Sequence, residues 1–203
     1  MSDLAPPSGS GPEALARAVL RGEDGALAAW FGAEHRATWK LCFGLLADGA
    51  EADDAAQDAM LHLHDHLARW DQGRPYRAWR NTVVLNLCRD RMRRAKTRRR
   101  AEEHAAGAGS AMHLADPVEE AAQSEAREVL RASLAALSPR EREAFVLRDL
   151  EGLPTQETAA ALGVTESTVR ALLTLARRRL RRIIGERVPG LVPGSARPDG
   201  GLP

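Results

Sequence analysis

Apolar residues recur along this chain at helical spacing, with polar positions between them. The pattern predicts helices near 13–21, 24–47, 51–69 and 75–97, then near 118–137, 139–151, 155–162 and 166–184. In the third, Met60, Leu63, Leu67 and Trp70 fall on one stripe. Local chemistry marks the boundaries. In "WDQGRPYRAW", Gly73 and Pro75 break the pattern, and a helix restarts after Pro75. Ser138, Pro139 and Glu141 supply a cap, a proline at the first helical position and a carboxylate able to reach back to the cap. Gly152 and Pro154 end that helix. Thr155 is placed to cap the next short one, and after the turn at "LGVT", Thr165 is placed to cap the last.

The expected fold class is all-α: two small helical domains joined by a flexible linker, the C-terminal one a helix-turn-helix domain. Residues 1–12 and 185–203 are rich in Pro, Gly and Ser and read as a disordered lead and tail. The linker is placed at 101–117, around the glycines of "HAAGAGSAMHLADP". That leaves domains at 13–100 and 118–184. On a helical wheel at 100° per residue, Val169, Leu173, Ala176 and Leu180 share a narrow sector and form the core stripe of the last helix. Ala171, Thr174, Leu175 and Arg178 lie opposite. Arg170, Arg177 and Arg181 flank one side and Arg179 the other, with Leu172 on the shoulder. Two helices joined by a tight glycine-containing turn, the second rich in arginine, match the helix-turn-helix pattern. On the helix after Pro75, Trp79, Val83, Asn86 and Asp90 share one stripe, and Val84, Cys88 and Met92 another. That helix is expected to be buried on two sides, with Asn86 and Asp90 inside and Arg94 as a partner for Asp90.

Charge sharpens this outline. The net charge of the 203 residues is only +1, but Arg89 to Arg100 holds eight basic residues and one acid. Asp116 to Glu128 reverses the sign, so the chain carries parts suited to different partners. A basic helix end is suited to phosphates, each neutralised one adding a salt-dependent increment to affinity. The plain alternative is a solvated helix end favoured by the helix dipole. Cys42 and Cys88 are too few for a disulfide scaffold and read as small buried hydrophobes. No apolar run approaches a membrane span, and "MSDLAPPSGSGPE" has no signal-peptide character, so a reducing cytoplasm is expected, without membrane insertion. His62 and His66 are one helical turn apart, but no third ligand accompanies them. No nucleophile–base set, phosphate loop or metal cluster is evident, so the expectation is a binding subunit, not an enzyme, with no cofactor.

The segment "LAALSPREREAFVLRDLEGLPTQETAAALGVTESTVRALLTLARRRLR" resembles the promoter-binding C-terminal domain of bacterial sigma factors, above all the extracytoplasmic-function (ECF) group. Leu137, Pro139, Glu141, Arg142, Leu147, Leu150, Gly152, Glu157, Ala159, Leu162, Gly163, Thr168, Val169 and Arg170 carry the likeness. Residues 51–94 resemble the core-binding and promoter-melting domain of the same group, through Asp53, Asp54, Gln57, Asp58, "RPYRAW", "NLCRD" and the basic finish. The two resemblances come in the family's order and imply a factor that binds core RNA polymerase and promoter DNA. They place core contacts at Asp53, Asp54, Gln57 and Asp58, and −10 contacts at Tyr76, Trp79, Asn86, Arg89, Arg93 and Arg94. In the family, the loop matching Asp71 to Tyr76 and the position of Asn86 capture an unstacked base. The wheel and the likeness together put −35 contacts at Thr168, Arg170, Ala171, Thr174, Leu175, Arg177, Arg178 and Arg181, with Arg170 and Thr174 facing bases and Arg177, Arg178 and Arg181 near the backbone. Members are commonly held by an anti-sigma factor.

One departure stands out. Members carry basic or polar residues where this chain has Leu172, Thr174 and Leu175, so an altered −35 preference is expected. Leu172 can fold onto the core. Leu175 has no such refuge, and is left to touch a thymine methyl or a protein partner. Three rival readings remain at this stage: a one-component helix-turn-helix regulator, a nucleic-acid enzyme with a basic groove, and a sigma-like interaction module with weakened promoter reading.

Overall fold

A computed structural model describes residues 11–105 and 121–187, all helices and short connections. The expected lead, linker and tail lie largely outside these residues. At their margins helix replaces expected disorder: Pro12 opens the first helix, residues 101–105 continue the fourth and 185–187 continue the last. The chain divides into two compact units, Met1–Ala115 and Asp116–Pro203.

The first unit contains α1 (Pro12–Leu20), α2 (Ala26–Leu46), α3 (Gly49–His66) and α4 (Tyr76–Ala105), with a 3-10 turn at Leu67–Arg69. Helix α2 is its centre, packing on α1, α3 and α4. It contributes Trp30, Leu41, Cys42 and Leu45 to the core. Opposite it, α3 buries Ala52, Ala55, Ala56 and Ala59 beside Met60 and Leu63. Alanines at the contact let two helix axes approach closely. Asp48 caps α3, its side chain accepting from the Glu51 amide at 3.0 Å. The sealed Cys42 and Cys88 thiols hydrogen-bond to each other. That bond and desolvation push the Cys88 thiol well above its ordinary range.

The inner face of α4 differs from the wheel expectation. Asn86 is exposed and Asp90 is half-buried, paired with Arg93 rather than Arg94. Trp79 and Val83 are only half-buried. The buried face holds Arg80, Asn81, Val84, Leu85 and Cys88. Two polar residues face inward because α2 supplies an acid to meet them. Arg80 Nη1 lies 3.2 Å from Glu34 Oε2, with side chains 5 % and 0 % exposed. Arg80 also donates to Asn81 Oδ1 through Nε at 2.9 Å and Nη2 at 2.7 Å. One turn before Arg80, Tyr76 accepts from Trp30 Nε1 of α2 at 2.9 Å.

The second unit contains α5 (Ala121–Ala135), α6 (Pro139–Phe145), α7 (Thr155–Leu162) and α8 (Glu166–Arg187), with a π-helical turn, Val146–Leu150, continuing α6. The start of α6 is a complete capping box: Glu141 N donates to Ser138 Oγ, and Ser138 N to Glu141 Oε2 at 2.9 Å. Helix α7 begins differently from expectation. Thr155 is its first residue, Pro154 holds the cap position, and no side chain caps it. Gly163, at φ +68°, ends α7 in the left-handed conformation that glycine adopts without strain. The core gathers Leu134, Leu137, Leu147, Leu153 and Leu162, with Leu137 packed against Ala176 and Leu180 of α8.

Breaking a buried ion pair leaves an uncompensated charge inside, whereas replacing both partners with apolar groups removes the problem. Arg80→Leu should therefore destabilise the first unit by about 3 kcal/mol or more, and adding Glu34→Leu should restore much of the loss. All four tryptophans lie in that unit, so denaturant unfolding followed by tryptophan fluorescence reads it directly.

Candidate nucleic-acid and polymerase interfaces

The loop leading into α4 is built before any partner arrives. Asp71 Oδ1 accepts from Gly73 N at 3.0 Å, and Trp70 Nε1 donates to the Arg74 carbonyl at 3.0 Å. Helix α1 clasps the same loop. Arg17 donates to the Gln72 carbonyl at 2.9 Å and to Gln72 Oε1 at 3.0 Å, and its guanidinium sits 4.9 Å from the Trp70 ring centre. Glu13 pairs with Arg17 at 2.9 Å and accepts weakly from the Tyr76 amide. The hydrogen bond from Arg17 outweighs desolvation and holds the Glu13 carboxyl below its usual range. Glu13 and Arg17 carry no mark of this role in the sequence, because nothing in an i, i+4 pair announces a loop 55 residues away.

The predicted −10 residues do not share one environment. Tyr76 is buried beneath Trp70 and Trp79, and burial pushes its phenol pKa up. Its side chain is core, so the expectation of a base contact there does not fit. Trp79 is half-buried against it, with ring centres 5.7 Å apart. Asn86 and Arg94 are exposed and, with Asp90, line a groove of about 500 Å³ between α3 and α4. Arg93 is exposed and paired with Asp90, and Arg89 is half-buried. The opposite wall of the groove carries Asp58, His62 and His66. The two histidine rings stack at 4.1 Å. No set of three metal-ligating side chains occurs among the described residues.

The four acidic-helix candidates are all exposed on α3. Two are already engaged. Asp53 accepts from Trp39 Nε1 at 2.5 Å, and Asp58 accepts from Arg91 at 2.7 Å, with Glu51 3.6 Å from the same guanidinium. Burial pulls the Arg91 pKa down, but the bond to Asp58 and the charges of Asp58, Glu51 and Asp54 raise it above the usual value. Asp54 and Gln57 complete the face, and Leu61 extends it as an exposed apolar side chain.

In α8 the expected inward stripe is observed: Val169, Leu173, Ala176 and Leu180 are buried, Leu172 is half-buried and Leu175 is exposed. Thr165 caps the helix, accepting from Thr168 N at 3.2 Å, and its hydroxyl also meets that of Thr168 at 2.9 Å. Arg170 makes an exposed i, i+4 pair with Glu166 at 2.8 Å. Arg177 is held more firmly. Its Nε and Nη2 reach the two carboxylate oxygens of Asp149 at 2.8 and 2.7 Å, and Asp149 is only 18 % exposed. That hydrogen bonding, with the Asp149 charge, raises the Arg177 pKa. Arg179 turns away to Glu141 at 3.3 Å. Ala171, Thr174, Arg178 and Arg181 are exposed.

Comparison with known proteins agrees with both units. Residues 30–98 match the family model "Sigma-70 region 2", and residues 127–180 match "Sigma-70, region 4". The Mycobacterium tuberculosis protein "ECF RNA polymerase sigma factor SigM" is 33 % identical over 178 residues, covering 84 % of this chain and 83 % of that protein. "ECF RNA polymerase sigma factor SigL" of the same species is 31 % identical over 155 residues, covering 75 % and 86 %. The sigma factor RpoE of Bartonella quintana, solved with the anti-sigma factor NepR, shares the fold at a TM-score of 0.61 and 21 % identity, covering 77 % of this chain and 95 % of that one. The paired regions define a sigma factor, a DNA-binding transcription initiation factor rather than a member of a known enzyme family. The chain belongs to the ECF RNA polymerase sigma factors and recognises promoters. No helix among the described residues is long and apolar enough to cross a membrane.

The caps that orient the second unit can be tested singly. Ser138→Ala and Thr165→Ala should each cost about 1 kcal/mol, read as earlier loss of the helical circular-dichroism signal on denaturation, with the fold retained in water.

Proposed function

We propose that the first unit docks on core RNA polymerase through the α3 face of Asp53, Asp54, Gln57 and Asp58 and reads the −10 element with the ordered 71–75 loop, Asn86 and the basic end of α4. The second unit docks on the −35 element through α8. The observation that carries this reading is the outer face of α8: a capped helix closing a helix-turn-helix, with Arg178 and Arg181 exposed and uncommitted among the described residues. Free guanidinium groups neutralise phosphates, while the first turns of such a helix approach base edges. Arg170 serves here as a base-facing group, because an exposed i, i+4 ion pair is worth only tenths of a kcal/mol and yields to a better acceptor. Thr168 and Ala171 complete this end.

In the first unit, exposure of Asn86 favours base capture. An amide forms paired hydrogen bonds with a base edge, and a flipped base needs an open, polar recess. The groove supplies one, and the Arg17 clasp holds the neighbouring loop in place at no ordering cost on binding. Arg94 lines the same groove, and the exposed Arg93 beside it carries the basic end of α4 toward the backbone. The chain works in the cytoplasm, where core polymerase and DNA are, and an anti-sigma factor is its expected inhibitor, as NepR accompanies RpoE.

Transcription in vitro with purified core polymerase and a promoter library tests the assignment. Initiation at a defined subset of promoters, dependent on this chain, is expected. No initiation together with no association with core would sink it, and tight binding of duplex DNA by the chain alone would favour a one-component regulator. Asn86→Ala should leave the melting temperature nearly unchanged, since the side chain is exposed, while reducing use of some −10 sequences about tenfold, equivalent to one base contact. Unchanged use of every −10 variant removes the base-capture role.

A further inference from the structure

Ala171, Thr174 and Leu175 form an apolar strip on the outer face of α8, and three details make it so. Leu175 projects from the outer face with 47 % of its surface exposed. Ala171, one turn earlier, is exposed and offers only a methyl group. Thr174 sits beside them, and its hydroxyl is spent: Oγ1 donates to the Arg170 carbonyl of its own helix at 2.9 Å. A threonine bonded in this way turns its donor inward and leaves its methyl for the outside. Of the nearby arginines, Arg177 on the flank is withdrawn, while Arg178 follows one turn on along the same face. Arg177 is bound at both ends of its fork by Asp149, and a bidentate pair of this kind is among the stronger charge-assisted contacts.

An apolar strip followed along the helix by exposed arginines has a matching surface in DNA. In the major groove, thymine alone carries a C5 methyl, and aliphatic side chains contact it. Guanine, by contrast, asks for an arginine fork. Arg178 and Arg181 supply the positive charge that places the strip over the groove. We infer that Leu175, with Ala171 and the methyl of Thr174, reads thymine methyl groups in the −35 element, so that this chain selects thymine where an arginine-bearing relative would select guanine. The inference rests on the proposed docking of α8 on −35 DNA and names the chemistry it recognises there.

The test uses holoenzyme assembled from the full chain and core polymerase, with promoters selected from a library randomised across the −35 region. Selection of no −35 sequence at all would remove the docking itself, a separate failure. Given a selected element, each thymine is replaced singly by deoxyuridine, which deletes only the methyl. Binding should fall about fourfold at one or two thymines, the factor that one methyl-sized contact carries. In Leu175→Ala the same replacements should be neutral, because the contact is already gone. Leu175→Arg should move selection at that position from thymine toward guanine. An element without thymine, neutral deoxyuridine at every position, or an equal loss in wild type and Leu175→Ala overturns the inference. So does Leu175→Ala that leaves promoter binding intact but weakens association with core, which would make Leu175 a protein contact. Retained helical content in both variants establishes that folding is not the cause.

Discussion

The first unit depends on one buried cross-link. Arg80 and Glu34 join α4 to α2 inside the core, and Asn81 accepts from two further donors of the guanidinium. A charge pair in so dry a place contributes less to stability than to registration, because any slip of α4 along α2 would strand both charges. The Trp30–Tyr76 hydrogen bond fixes the same register one turn away. Once α4 is registered, the rest follows: Tyr76 closes the core beneath the loop, the loop meets α1, and Asn86 emerges on the groove side. The placement of the exposed groove residues thus begins with a polar contact inside the core.

The second unit solves a different problem. Helix α8 must bury one side to hold the unit together and free the other for DNA. Residues spaced three and four apart satisfy the first need, and their burial is nearly complete. The outer side is then sorted by ion pairs. Asp149 removes Arg177, Glu141 removes Arg179, and Arg178 and Arg181 are left for an external anion. Counting arginines overstates the charge available to DNA; the partners decide it.

Much of this was legible beforehand because it is periodic or local. The α8 stripe, the exposure of Leu175, the Ser138–Glu141 box and the Thr165 cap all depend on residues within a turn or two of one another. What escaped was non-local. The wheel put Asn86 and Asp90 inside α4, since it ranked faces by apolar content and could not know that Glu34 would draw Arg80 inward. It offered Tyr76 as a DNA contact, because a motif match records position and not depth. Arg17 and Glu13 looked like an ordinary surface pair, and only the folded chain brings Gln72 and Tyr76 to them. Thr155 had the right chemistry for a cap but stood one residue too late.

The π-helical turn at Val146–Leu150 carries Asp149. Such a turn amounts to one extra residue accommodated within an α-helix. The extra residue is taken up locally, so a neutral side chain in place of Asp149 would remove the acid facing Arg177 and leave the winding of the turn as it is. Arg177 would then be released toward DNA without any change in α8 itself. The side chain that a neighbouring turn presents at one position therefore sets how much positive charge α8 displays, so the charge offered to an external anion is tuned from outside α8.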